Sequence, residues 1–208
     1  MGRILLKKEF VLEQMGAIEE AIAVLREAVP FVESSEDTRL LFALRFETVK
    51  NLCHLGRSAE AAELLPEVRT LAVKLCNELD LVRVLWLQAR IFAGQEAFQD
   101  AVAAFGQVRR EFAARELAYD FALASLELAV LWLAQEHSGE VKALARQMLW
   151  IFQSHGIHRE ALAALRLFQK AAEKEELTLE LARRFVNYLY RAQRNPSLRF
   201  ESEEAPEP

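Results

Sequence analysis

Several side chains stand where their types and spacing could do chemistry. His155 and His158 form an HxxH pair, which holds a metal when both imidazoles share one helix face. Gly156 between them favours a turn instead, and no Cys or acid follows at ligand spacing. Cys53 and His54 are neighbours, so on a helix they point in different directions and cannot form a nucleophile–base pair. Glu19–Glu20 and Glu175–Glu176 fall at expected helix starts, where the helix dipole stabilises acids as plain surface charges. Neither GxGxxG nor GxxxxGK[ST] occurs, so no phosphate cradle is encoded. The chain therefore reads as non-catalytic, with no cofactor and no metal.

The cations are more informative. Lys50, Arg90 and Lys170 recur at multiples of forty residues, and Phe46 and Trp86 stand four residues before the first two. Aromatic rings beside cations suit a peptide with acidic and apolar side chains, or a free C-terminal carboxylate. Two further basic clusters, Arg109–Arg110 with Arg115 and Arg183–Arg184 with Arg191 and Arg194, would suit phosphates. The net charge of −5 and the absence of a helix-turn-helix reader disfavour nucleic acid.

The elements that must position these residues are helices. With 52% hydrophobic and 27% charged residues the chain is too apolar for disorder. Ala, Leu, Glu and Arg dominate, and Gly and Pro are scarce. Two segments align by eye, GAIEEAIAVLREAV from Gly16 and GRSAEAAELLPEVR from Gly56. Their alanines, Ala21 and Ala61, set a forty-residue step that continues through Ala101, Val141 and Leu181. Four residues on lie Leu25, Leu65, Phe105, Ala145 and Phe185; three further lie Ala28, Val68, Val108, Met148 and Tyr188. All are apolar, and i, i+4 and i+7 share one helix face. Nine residues before each register position lie Leu12, Leu52, Phe92, Trp132 and Ala172. The unit is thus two helices joined by a short turn.

This predicts ten helices in five antiparallel pairs: 3–14 and 17–33, 36–54 and 57–76, 78–93 and 97–114, 116–135 and 138–154, 157–174 and 177–193. Gly16 and Gly56 suit the helix-end position, where φ is positive. Glu96, Glu136 and Glu176 replace that glycine, so those turns are expected to be shaped differently. Pro66 is expected to kink or locally end its helix. The repeats span 1–195, and 196–208 is an acidic, Pro-containing tail expected to be disordered.

The pattern resembles tetratricopeptide repeats: Gly56, Glu60–Ala61, Leu65 and Val68 match that family's second-helix signature. The forty-residue period resembles the longer-helix subtype of bacterial regulators and peptide-binding scaffolds. The resemblance implies an all-α solenoid, a protein or peptide partner in a concave groove lined by first helices, and a scaffold or regulatory role. Carried over by register, the groove residues are Phe46, Lys50, His54, Arg83, Trp86, Arg90, Arg166 and Lys170. Lys50 with Asn51 loosely resembles the carboxylate-clamp repeats, although the Asn follows by one residue instead of four. A second implied reading is the regulatory or sensor part of a larger transcriptional or signalling protein.

No apolar run reaches the ~20 residues of a membrane helix, and two cysteines are no disulfide framework. A cytoplasmic setting without a membrane partner is expected. The first helix begins abruptly with Ile4, Leu5 and Leu6, so the chain is expected either to be the C-terminal piece of a longer repeat protein or to self-associate through its N-terminal end.

Overall fold

The computed structural model describes residues 1–154 and 158–201. Among these lie ten helices and no strand: α1 Gly2–Gln14, α2 Ile18–Glu33, α3 Thr38–His54, α4 Ser58–Lys74, α5 Glu78–Gly94, α6 Phe98–Ala114, α7 Ala118–Leu133, α8 Ser138–Ser154, α9 Arg159–Glu173 and α10 Leu179–Ala192. Among the described residues no helix is long and apolar enough to cross a membrane. The helices form tandem antiparallel repeats, divided between two compact units, Met1–Val108 and Arg109–Pro208.

In the first unit, α2 and α4 pack on α3, while α1, α3 and α5 touch side by side. The register residues make the core. Ala21, Leu25, Ala28, Ala61, Leu65 and Val68 are all buried. One cluster joins Leu5, Val24, Leu25, Ala28 and Val32 to Leu44; another joins Leu52, Leu65, Val68 and Leu71 to Val84, Leu87 and Ile91. Each fully buried Leu, Ile or Val contributes ~1.5–3 kcal/mol, so the repeated stripe is what holds neighbouring helices together.

The turns recur every twenty residues, twice as often as the sequence repeat. Positive φ is found at Gly16, Glu36, Gly56, Cys76, Glu96, Glu116 and Glu136. The expectation that Glu96 and Glu136 shape their turns differently is overturned. Their φ values of 60° and 61° lie beside those of Gly16 and Gly56. The same helix-closing bond follows each: the amides of Ala17, Arg57, Ala97 and His137 donate to the carbonyls of Leu12, Leu52, Phe92 and Trp132, each at 2.9 Å. Glutamate thus occupies a left-handed residue at a cost of about 1 kcal/mol each. Pro66 does not end its helix, since α4 runs through it from Ser58 to Lys74.

The second unit departs at its last pair. Here the left-handed residue is Glu175, and α10 begins only after the Thr178 hydroxyl caps Leu181 N at 3.1 Å. This longer turn displaces only the first register position, and Phe185 and Tyr188 stay buried as expected. Ala182 is the fully buried residue, and Leu181 is half-buried. In its new position α10 packs on α7 as well as α9, and Tyr190 Oη donates to Glu127 of α7 at 2.9 Å. The boundary drawn at 195/196 does not mark the end of packing. Phe200 stacks on Phe185 with centroids 4.0 Å apart, and Tyr188 Oη donates to the Leu198 carbonyl at 3.0 Å. The rest of the expected acidic tail, 202–208, lies outside the described residues.

Candidate partner-binding face

In the first unit, α3 and α5 bring Phe46, Lys50, His54, Arg83, Trp86 and Arg90 onto neighbouring first helices. Their spacings of three and four residues keep each set on one helix face. Phe46 is half-buried against the core, with its ring 5.6 Å from that of Phe42. Trp86 is largely buried, and the Arg90 guanidinium lies over its ring at 5.2 Å, a cation–π contact. Arg83 stands 3.9 Å from the buried Asp80, whose other carboxylate oxygen is held by Arg39.

Lys50 is committed to the chain's own acids. Its Nζ lies 2.7 Å from Glu13 Oε1 and also contacts Glu47 Oε2. Burial opposes its charge, yet Glu47 and Glu13 outweigh that and hold its pKa above the ordinary lysine value. Asn51 is wholly buried and donates from Nδ2 to Glu9 Oε1 at 2.8 Å. The clamp-like pair Lys50–Asn51 therefore grips two carboxylates of α1. Asn51 Oδ1 has no hydrogen-bond partner among the described residues.

Glu9, Glu13 and Glu47 bring carboxylate oxygens within 4.8 Å of one another. Burial, then the negative charge of Glu47, pushes the Glu9 carboxyl up to about 7. Lys50 already supplies the cation that Glu13 and Glu47 need. The sequence reading missed this cluster. The signal was present, because Glu9 falls on the α1 stripe shared by Gly2 and Leu5, where an acid is out of place.

His54 completes the face. Its Nε2 is 4.0 Å from Glu13 Oε1. Burial, followed by the positive charges of Arg90 and Lys50, holds its pKa well below the ordinary histidine value. The imidazole is therefore neutral at pH 7.

The remaining expected positions lie in the second unit. Arg166 and Lys170 are exposed and one turn apart on α9. Of the Arg109 cluster, Arg109 is turned inward and Arg110 is exposed. Arg109 Nε donates to the buried Ser125 Oγ and its Nη2 to Gln147 Oε1, both at 2.7 Å, and burial lowers its pKa to about 10. Arg115 pairs with Glu111, and Arg184 donates to the Glu201 carbonyl at 2.6 Å. His158 caps α9 through Nδ1, which accepts from Ala161 N at 3.4 Å. Its Nε2 faces the Tyr119 hydroxyl and the Ala192 carbonyl. His155 lies outside the described residues, so the HxxH pair has no geometry to report.

Comparison of the chain with family models, with characterised proteins and with solved structures finds no match.

Proposed function

We propose that the chain is a non-catalytic, tetratricopeptide-like interaction module whose α3–α5 face takes an acidic peptide with apolar side chains. The observation that carries this reading is the state of His54. Burial, then the positive charges of Arg90 and Lys50, keeps the proton off its ring, even though Glu13 stands nearby. The part of that effect due to Arg90 and Lys50 is a positive potential, and a positive potential favours a carboxylate. Beside it, half-buried Phe46 supplies apolar surface, and Arg90, stacked over the buried Trp86, supplies a planar cation. The exposed pair Arg166 and Lys170 offers the second unit a similar charge on α9.

The test is a titration with a short peptide of alternating Asp and Leu ending in a free carboxylate. Saturable binding by calorimetry is expected, and NMR should show the His54 pKa rising in the complex. Arg83→Gln combined with Arg90→Glu should weaken binding by tenfold or more, about 1.4 kcal/mol, with helicity retained. Lys50 is left intact, because it anchors Glu13 and Glu47. Absence of binding, or undiminished binding by the double variant, would refute the reading.

A further inference from the structure

Helix α1 carries two stripes. Gly2, Leu5 and Glu9 face inward and are buried. Met1, Ile4, Lys8, Val11 and Met15 form an outward stripe, all of them exposed. Their spacing of three and four residues is that of a coiled-coil seam, with Lys8 its single polar position.

The repeat itself says what such a stripe does. Forty residues on, Ile4 and Val11 become Leu44 and Asn51, both 0% exposed; eighty on, they become Val84 and Ile91, at 2% and 3%. Ile4 and Val11 are 65% and 55% exposed. In α3 this position is closed by helices α1 and α2, whose Leu5, Val24, Leu25 and Ala28 cluster with Leu44. The outward stripe of α1 therefore continues an interface that the first unit already uses internally.

We propose that a second copy of this chain covers the stripe, α1 against α1 in antiparallel register about a two-fold axis near Lys8. That register sets Ile4 opposite Val11 and Met1 opposite Met15, so four apolar layers flank one lysine pair. A two-fold contact is favoured over a head-to-tail one. The aromatic face of α10, Phe185 and Tyr188, is already covered by Phe200, whereas the α1 stripe is open. An isologous contact uses the open surface alone and closes at two subunits. The facing Lys8 side chains fix the register at a cost in affinity, as single polar seam residues do, and their long stems let the ammonium groups reach water.

Sedimentation equilibrium of the full chain, from micromolar to near-millimolar concentration, tests this. A reversible monomer–dimer equilibrium is expected. Ile4→Glu with Val11→Glu should leave only monomer while circular dichroism is unchanged, because both positions are exposed. Lys8→Leu should tighten the dimer by about tenfold or more, since it replaces the facing lysines with an apolar layer. Lys8→Cys, in a Cys76→Ser background, should form an inter-chain disulfide on mild oxidation, faster than a cysteine placed at Lys7. A chain that stays monomeric throughout, Lys8→Leu included, overturns the proposal. So does a dimer that survives the double glutamate variant, or equal crosslinking from positions 7 and 8.

Discussion

Replacing Glu9 by Gln should stabilise the protein at neutral and alkaline pH, although it removes a buried hydrogen-bonded group. Glu9 is 2% exposed and its carboxyl is raised from 4.5 to about 7. The folded state therefore holds a proton that the unfolded chain has released between those values. Stability is highest below the unfolded value, declines as pH rises from about 4.5 to about 7, and levels off above. A difference of about 2.5 pH units corresponds to an upper figure of roughly 3 kcal/mol, and solvent relaxation around the charge reduces it toward about 2 kcal/mol.

Geometry favours the same outcome. Glu9 Oε1 accepts from Asn51 Nδ2, and Asn51 Oδ1 is buried without a donor. A protonated Glu9 would offer that donor, and the amide introduced by Glu9→Gln offers it at every pH. Urea unfolding of wild type and Glu9→Gln at pH 5 and pH 8, followed at α1 and α3 amides by hydrogen exchange, makes the comparison. The two should nearly coincide at pH 5, and the variant should exceed wild type by ~2–3 kcal/mol at pH 8. A variant less stable than wild type at pH 8, or an unchanged pH slope, would refute the assignment of the proton to Glu9.

Three further substitutions probe the scaffold by thermal or urea unfolding. Gly94→Ala places a Cβ 1.9 Å from Ser58 Oγ and 2.9 Å from Ser58 Cβ; it should cost ~1–3 kcal/mol, and a Ser58→Gly partner change should recover most of that loss. Glu136→Gly, at φ 61°, should gain about 0.5–1 kcal/mol by relieving the left-handed residue, whereas Gly16→Ala at φ 79° should lose about 1 kcal/mol. Phe200→Ala removes the ring stacked on Phe185 and edge-on to Tyr188; it should lower the stability of the second unit by ~1–2 kcal/mol and speed exchange of α10 amides, leaving the first unit unchanged.

The helices were legible because apolar periodicity is local. A stripe at i, i+4 and i+7 needs only one helix to define it, so α3 and α4 end within two residues of the positions read from the sequence. The forty-residue register holds wherever the turn keeps its length, and fails at Leu181 because Glu176, Leu177 and Thr178 lengthen the last turn. Glutamate at the left-handed positions was misread because residue type was taken to fix backbone conformation, when tertiary packing of the flanking helices fixes it at Glu96 and Glu136.

The face on α3 was legible in one sign only. Positive residues at repeat spacing stand out, but apart from Glu47 the acids that answer them lie some forty residues earlier, and no local pattern joins Glu9 to Asn51 or Glu13 to Lys50. One surface of α3 consequently does two things. Lys50 and Asn51 fasten α1, while under the function proposed above His54, with Arg90 from α5, would meet the partner. The two roles are coupled through charge: releasing the Glu9 proton adds a negative charge beside Lys50 and lowers the positive potential that an acidic peptide would meet. Peptide affinity for the wild type should therefore decline as pH rises through about 7, where Glu9 titrates. In Glu9→Gln that decline should be absent, and calorimetry at pH 6 and pH 8 would separate a partner site electrically linked to α1 from one that is not.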